Sequence, residues 1–258
     1  MDKLIKKIVL CTMSFNFYCL GGINFKEAED WVKYAEEQMR GEKSFSKSTM
    51  KIITPKWTRE LTLESSVKGN EFALIFIKEP AKEKGIGTLK VKGQMFNYFP
   101  KLQRKVTLSP SLLLSSWMGS DFTNDDLLKS SQLLFDYDHK FFGGTSLKSV
   151  EKIEGVDYKK IILTRKENAK VIWPKIEIYF DQKNCLPRFQ YYYDKENKLR
   201  RKLSLTEVQT FQNHLFPTKW EMQEEGQGSD KKTIIQYQDI DFNFSFNEDY
   251  FTEKNLTK

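Results

Sequence analysis

The hydrophobic period changes twice along the chain. In "NFKEAEDWVKYAEEQMRGE", residues 24–42, Ala28, Trp31, Val32, Ala35 and Met39 recur at three- and four-residue steps, the spacing of one face of an α-helix. Asn24 stands where a cap is needed, Glu27 follows three residues on, and Gly41 supplies the stop. Such a helix must lay its apolar stripe on something. From "STMKIITP" onward the period is two. "WTRELTLES" sets Trp57, Leu61 and Leu63 against Thr58, Glu60, Thr62 and Glu64, a strand with one dry and one wet face. "NEFALIFIKEP", with Phe72, Leu74 and Phe76, is apolar on both faces, as for a strand covered on both sides. "IGTLKVKGQMFNYFP" alternates Leu89 and Val91 with lysines, and "KLQRKVTLS" repeats the pattern.

The second half returns to strands in "YKKIILTRK", "PKIEIYFDQKNCLPRFQYYYDKENKLRRKLSL" and "LFPTKWEMQEEGQGSDKKTIIQYQDIDFNFSF". Their connections, "DQKN", "DKENK" and "GQGSDK", are polar and turn-rich, which predicts consecutive antiparallel hairpins. About ten strands are expected, in one domain over residues 23–258, since no low-complexity linker divides the chain. The expected class is α+β, mostly antiparallel β: a large sheet or barrel with helices confined to the beginning and the middle.

The second change of period falls at residues 109–147. Thr123 followed by Asp126 resembles a helix start, and "NDDLLKSSQLLFDYDHKFFGG" supplies Leu127, Leu128, Leu133, Leu134 and Phe135 before two glycines. A helix, or two loosely wound helical turns, should interrupt the sheet here. This segment is too apolar to face water, so it should cover the sheet.

Residues 1–22 have the layout of a secretory signal peptide: Lys3, Lys6 and Lys7 precede an apolar run from Ile8 to Leu20 that closes on two glycines. The run is short for a bilayer span, and the bulky Phe17 and Tyr18 disfavour acylation of Cys19. Cleavage would remove Cys11 and Cys19 and leave Cys185 alone, so the mature domain is expected to hold together by burial, without an internal disulfide. The formal charge of +7 is modest and spread along the chain, which does not argue for nucleic acid. The basic "KLQRK" and "KLRRK", near Tyr191, Tyr192 and Tyr193, read as solvated strand faces or as contacts with anionic headgroups.

Catalytic chemistry finds little support. There are two histidines, His139 and His214, and no G-x-S-x-G turn. Asp121, Asp125, Asp126, Asp136, Asp138 and His139 could be drawn into a metal site, but no ligand spacing of a known kind joins them, and Asp and Asn at helix starts ordinarily hold backbone N–H groups. No cofactor and no metal are expected. What does stand out is large apolar surface at strand positions under an apolar cover. An ordinary core would explain it, and so would a sheet and cover that close incompletely around a cavity for acyl chains.

The stretch "FNYFPKLQRKV…SSWMGSDFTNDDLL" bears on that choice. Tyr98-Phe99-Pro100, the basic hairpin with Arg104 and Lys105, and Gly119-Ser120-Asp121-Phe122-Thr123 with Asp126-Leu127 resemble the outer-membrane lipoprotein-sorting family, the LolA/LolB-like carriers. The ending with Phe251, Thr252 and Leu256 resembles that family's close. The resemblance implies a half-open, incomplete β-barrel with helices plugging its concave side, and a periplasmic carrier, not an enzyme, that moves lipoprotein acyl chains or another lipid such as phospholipid towards the outer membrane. It further implies a monomer in transient contact with membranes and with an inner-membrane transporter. The expected wall residues are Trp57, Leu61, Leu63, Phe72, Leu74, Phe76, Leu89 and Val91, with Leu127, Leu128, Leu133 and Leu134 from the cover. Gly119 would turn the backbone, Ser120 or Asp121 would cap the next segment, and Phe122 would anchor a weakly held lid over a cavity that its own side chains fill when empty. A docking subunit of a membrane lipid transporter and a lipid hydrolase are the competing readings.

Overall fold

The computed structural model describes residues 25–129, 132–146, 148–226, 228, 230–247 and 249–257. The expected signal peptide, residues 1–22, lies outside them, as does Asn24. Helix α1 (Ala28–Arg40) is capped by Glu27, whose backbone N–H donates to Asp30 Oδ2 at 3.1 Å, and it stops at Gly41. Its stripe of Ala28, Trp31, Val32 and Ala35 is buried, as the helical spacing requires.

Among the described residues, fourteen strands form one antiparallel sheet. After α1 come β1 (Lys43–Ile53), β2 (Thr58–Lys68), β3 (Phe72–Glu79), β4 (Gly87–Val91), β5 (Gln94–Phe99) and β6 (Arg104–Thr107). The covering segment carries α2 (Asn124–Lys129) and α3 (Leu133–Asp136). It is followed by β7 (Tyr137–Phe141), β8 (Val150–Ile153), β9 (Val156–Arg165), β10 (Lys175–Asp181), β11 (Pro187–Tyr193), β12 (Leu199–Phe211), β13 (His214–Glu224), β14 (Lys232–Asp241) and α4 (Glu253–Leu256). The order across the sheet is β6-β5-β4-β3-β2-β1-β14-β13-β12-β11-β10-β9-β7, with β8 also on β9.

This order consists of two meanders that meet where β1 pairs with β14. The sheet is unclosed: β6 is one edge, β7 and β8 along β9 are the other, and β6 does not pair with either. The chain between β6 and β7, residues 108–136, must therefore run from one edge to the other, and it does so across the face the sheet curls around. The cover is placed there by topology. The count exceeds the ten or so strands expected: the short β7 falls inside the stretch expected to be helical, and β8 lies in a segment to which no strand was assigned. "YDHKF" alternates, but its apolar positions are too few to set a period.

The two faces of β3 go to different cores. Ile77 packs with Met50, Ile52, Leu61, Leu63, Met95 and Trp117 on the inner face, while Leu74 packs with Leu89, Phe96, Phe251 and Leu256 on the outer one. The outer cluster forms because the chain after β14 folds back over β2–β5. Tyr250 Oη lies 3.0 Å from Ser66 Oγ, the Phe251 ring is 5.6 Å from Phe72, and Glu253 pairs with Lys105. Thr252 caps α4, accepting from the Asn255 N–H. No helix among the described residues is long and apolar enough to cross a membrane. Cys185, expected to stand alone, is buried and disulfide-bonded, which corrects that expectation.

Candidate functional site

Between the inner face of the sheet and its cover lies a cavity of about 310 Å³. That falls in the range of small-molecule sites, roughly 300–1,000 Å³. Strands of both meanders line it: Val67 and Ile75 on one side, Ile178, Leu203, Met222 and Ile235 on the other, with α1, α2 and α3 contributing Val32, Leu127 and Leu133. One sheet can present both its halves to a single cavity only by curling. Most of the large aliphatic and aromatic side chains come from β10–β14, whereas β1–β4 offer, besides Val67 and Ile75, the short Ser44, Ser46, Ser65, Ala73 and Thr88 and the polar Lys90. Short side chains on one wall facing long ones on the other leave the space unfilled.

The register shows where each expected wall residue goes. Leu127 and Leu133 line the cavity, whereas Phe72, at its margin, packs its ring on Phe251 in the outer cluster. Leu61 and Leu63 share the inner face with Ser65 and Val67 but lie further along β2, sealed beneath Trp117 in the adjoining core. Leu74, Phe76, Leu89 and Val91 are on the outer face, under the returning C-terminal segment. That is a parity difference: Ala73 and Ile75 on β3, opposite Lys90 and Thr88 on β4, face inward. Trp57 is 48% exposed in the turn before β2. Leu134 packs in the core beside α1, and the side chain of Leu128 lies outside what the structure describes.

The "WMGSDF" stretch is fastened rather than loosely laid. Met118 and Gly119, at φ 51° and 78°, turn the backbone through the left-handed region, where glycine is at ease. Arg59 Nη1 donates to the Met118 carbonyl at 2.8 Å, and the same guanidinium pairs with Glu83. Trp117 Nε1 donates to Thr88 Oγ1 at 3.1 Å. Ser120 Oγ stays within its own turn, accepting from the Phe122 N–H at 3.2 Å and donating to the Trp117 carbonyl at 2.7 Å. Asp121 does not cap: Oδ2 accepts from Thr233 Oγ1 on β14 at 2.6 Å, and Lys231 Nζ is 3.3 Å from Oδ1. The helix start is a reciprocal pair, in which the Thr123 N–H donates to Asp126 Oδ2 at 2.7 Å and the Asp126 N–H donates to Thr123 Oγ1 at 3.2 Å. Asp126 also holds Arg201 of β12 through two hydrogen bonds, at 3.3 and 2.8 Å. Phe122 lines the cavity next to this anchor. The weaker part of the cover is α3, which has no buried residue and leaves Phe135 65% exposed.

Three ionisable side chains in the cavity escaped the sequence reading. Glu36 and Arg40 project from α1, and Lys90 from β4. Burial pushes the Glu36 carboxyl up to about 7, against the opposing pull of Arg40. Burial, reinforced by Arg40, brings the Lys90 amine down to about 8. The available signal was their spacing: Glu36 and Arg40 lie four and eight residues after Val32, on the apolar stripe itself.

The histidines are occupied structurally. His139 Nε2 lies 3.0 Å from the Leu133 carbonyl oxygen, while the His214 ring stacks on Phe242 and its Nδ1 lies 3.1 Å from the Gln38 carbonyl oxygen. Among the described residues no group of three or more His, Cys, Asp or Glu side chains is placed to hold a metal ion.

A protein-family model described as an uncharacterized protein matches residues 69–258. No curated protein matches the chain's sequence. Solved structures do match. A DUF1329 family protein from Desulfovibrio piger superposes with a TM-score of 0.78 at 19% identity, covering 89% of this chain and 97% of its own. A LolA superfamily protein from Nitrosomonas europaea gives 0.71 at 20% identity, with 89% and 99% covered. A domain assigned to outer membrane lipoprotein sorting, from Vibrio parahaemolyticus, gives 0.72 at 18% identity, with 90% and 98% covered. At these identities the likeness is one of fold: an unclosed antiparallel barrel with few helices.

Proposed function

Since the chain belongs to the family of uncharacterized proteins matched over residues 69–258 and has the fold of the LolA superfamily, we propose that it is a lipid carrier exported to the periplasm. The observation that carries this reading is the apolar cavity enclosed between the curled sheet and its cover. Each acyl methylene moved there from water contributes about 0.8 kcal/mol, so a chain of ordinary length offsets the cost of association without any chemistry. The cargo is the acyl part of a lipoprotein, a phospholipid or another amphiphile, on its way towards the outer membrane. Loading from an inner-membrane transporter and transient contact with membranes follow from that role. Residues Asp121 and Asp126 fix the anchored half of the cover, and entry is through the less buried α3 side.

Titration with a fluorescent acyl probe tests the proposal. The wild-type protein should bind the probe. Ile235→Trp, which adds bulk from β14 into the cavity, should weaken binding at least about tenfold while the fold still melts cooperatively. Unchanged binding by this variant, or no binding by the wild type, would overturn the reading.

A further inference from the structure

The β1–β4 side of the cavity holds more cation than its surroundings neutralise. Arg40 ends α1 and Lys90 lies in β4, and both face the cavity. Lys90 is 6% exposed. Among the described residues, neither its Nζ nor the Arg40 guanidinium makes a hydrogen bond or an ion pair, and Arg40 Nε is fully enclosed without a partner. Buried cations without a counter-charge destabilise a fold, and two of like sign near each other do so further. Each is held below its ordinary pKa by burial, and Arg40 depresses Lys90 further.

The nearby acids, Glu36 beside Arg40 and Glu71 towards Lys90, offset this charge only in part. Glu36, one turn before Arg40, is itself pushed up to about 7 by burial, and Glu71 is exposed on the approach to β3. Tyr237 of β14, pushed up to about 12 by burial, stays neutral beside Arg40. Ser44, Ser46 and Ser65 add hydroxyls that make no hydrogen bond among the described residues. The floor between is low: the register places Ser44, Val67, Ala73 and Lys90 in one row across β1–β4.

We infer that this end of the cavity receives the anionic headgroup, phosphate or carboxylate, of an amphiphile whose chain occupies the apolar end, with Arg40 and Lys90 as its counter-charges. The inference rests on the acyl-chain reading of the cavity and narrows it, from any hydrocarbon tail to an acidic lipid. Glu36, largely protonated below pH 7, can donate a hydrogen bond to the same headgroup.

Calorimetric titration of the full mature protein at pH 6.5 tests it. The probes are dodecyl phosphate, uncharged monododecanoylglycerol and dodecyltrimethylammonium, each below its micelle concentration, and inorganic phosphate. Dodecyl phosphate should bind roughly 10–100-fold more tightly than the glyceride, the worth of one or two hydrogen bonds to charged groups. In Lys90→Met that ratio should fall below about threefold, and Lys90→Arg should restore it. Arg40→Met should lower the same ratio, and thermal melts of each variant verify folding. Inorganic phosphate should not displace dodecyl phosphate; displacement at equal affinity would mark a free-phosphate site and overturn the inference. Equal binding of anionic and neutral probes, or preference for the ammonium probe, would overturn it while leaving the cavity reading standing. Failure of all three amphiphiles to bind would overturn both.

Discussion

Asp126 is the most economical place to perturb the cover. Its carboxylate closes the helix start at Thr123 and pairs with Arg201, whose side chain is 4% exposed against 18% for Asp126. The guanidinium lies 5.4 Å from the Trp173 ring and 5.5 Å from the Tyr192 ring, so it has little water to turn to. Burial works against its charge, and the Asp126 carboxylate, with smaller help from Tyr192 and Glu224, outweighs burial and raises the Arg201 pKa. Asp126→Asn keeps the size and the acceptor for the Thr123 N–H and removes the counter-charge. Stranding a buried charge costs about 3–5 kcal/mol, and because asparagine retains one acceptor the lower end, about 3 kcal/mol, is expected. For a domain of this size that is a fall in Tm of about 6–12 °C. Urea unfolding of Asp126→Asn, Arg201→Met and the double variant measures the pair. The double variant should recover most of the loss, because no charge is then stranded. If Asp126→Asn unfolds within 1 kcal/mol of wild type, the claim that the cover is fastened through this pair fails.

Three other outcomes are expected. The folded-state pKa of Glu36 lies above its unfolded value, so its contribution to stability is fully present below about pH 4.5 and is lost as pH rises through about 7; the size is at most about 3 kcal/mol, from 2.5 pKa units at 1.36 kcal/mol each. Unfolding free energies of Glu36→Gln across that window should lack this slope, and an identical slope in variant and wild type would refute the burial assigned to Glu36. Gly87→Ala would set a methyl 2.7 Å from Leu256 Cδ1 and 2.9 Å from the Phe76 ring, so it should cost about 1–3 kcal/mol and increase proteolysis of the C-terminal segment; unaltered cleavage would refute the packing of that segment on β4. Phe122→Ala removes a buried ring from the cavity wall and should cost about 3–5 kcal/mol in urea and alter acyl-probe affinity, so unchanged stability with unchanged binding would remove its role as an anchor.

Much of the architecture was legible because one-sided burial leaves a period in the sequence. The stripe of α1, the alternation of β2 and the reciprocal Thr123–Asp126 start all follow from local rules. The cavity wall was less legible for a reason visible in β3 and β4. A strand that is dry on both faces carries no parity signal, and Leu74 and Leu89 face outward only because a segment more than 150 residues later returns to cover them. Lys90 alternates with Leu89 and Val91 as the polar position of β4, and that polar side faces the cavity. The partners of Asp121 were hidden for a similar reason, since Thr233 and Lys231 lie on the far meander. Contacts of that range are set by topology, and local pattern does not report them.

Whether the space between sheet and cover holds hydrocarbon is decided by native mass spectrometry of the mature protein purified from cells, before and after extraction with organic solvent. A carrier should appear as a polypeptide with lipid-sized mass increments that extraction removes and that incubation with lipid vesicles restores. A protein that shows only its polypeptide mass, from cells and after incubation alike, would contradict the carrier reading.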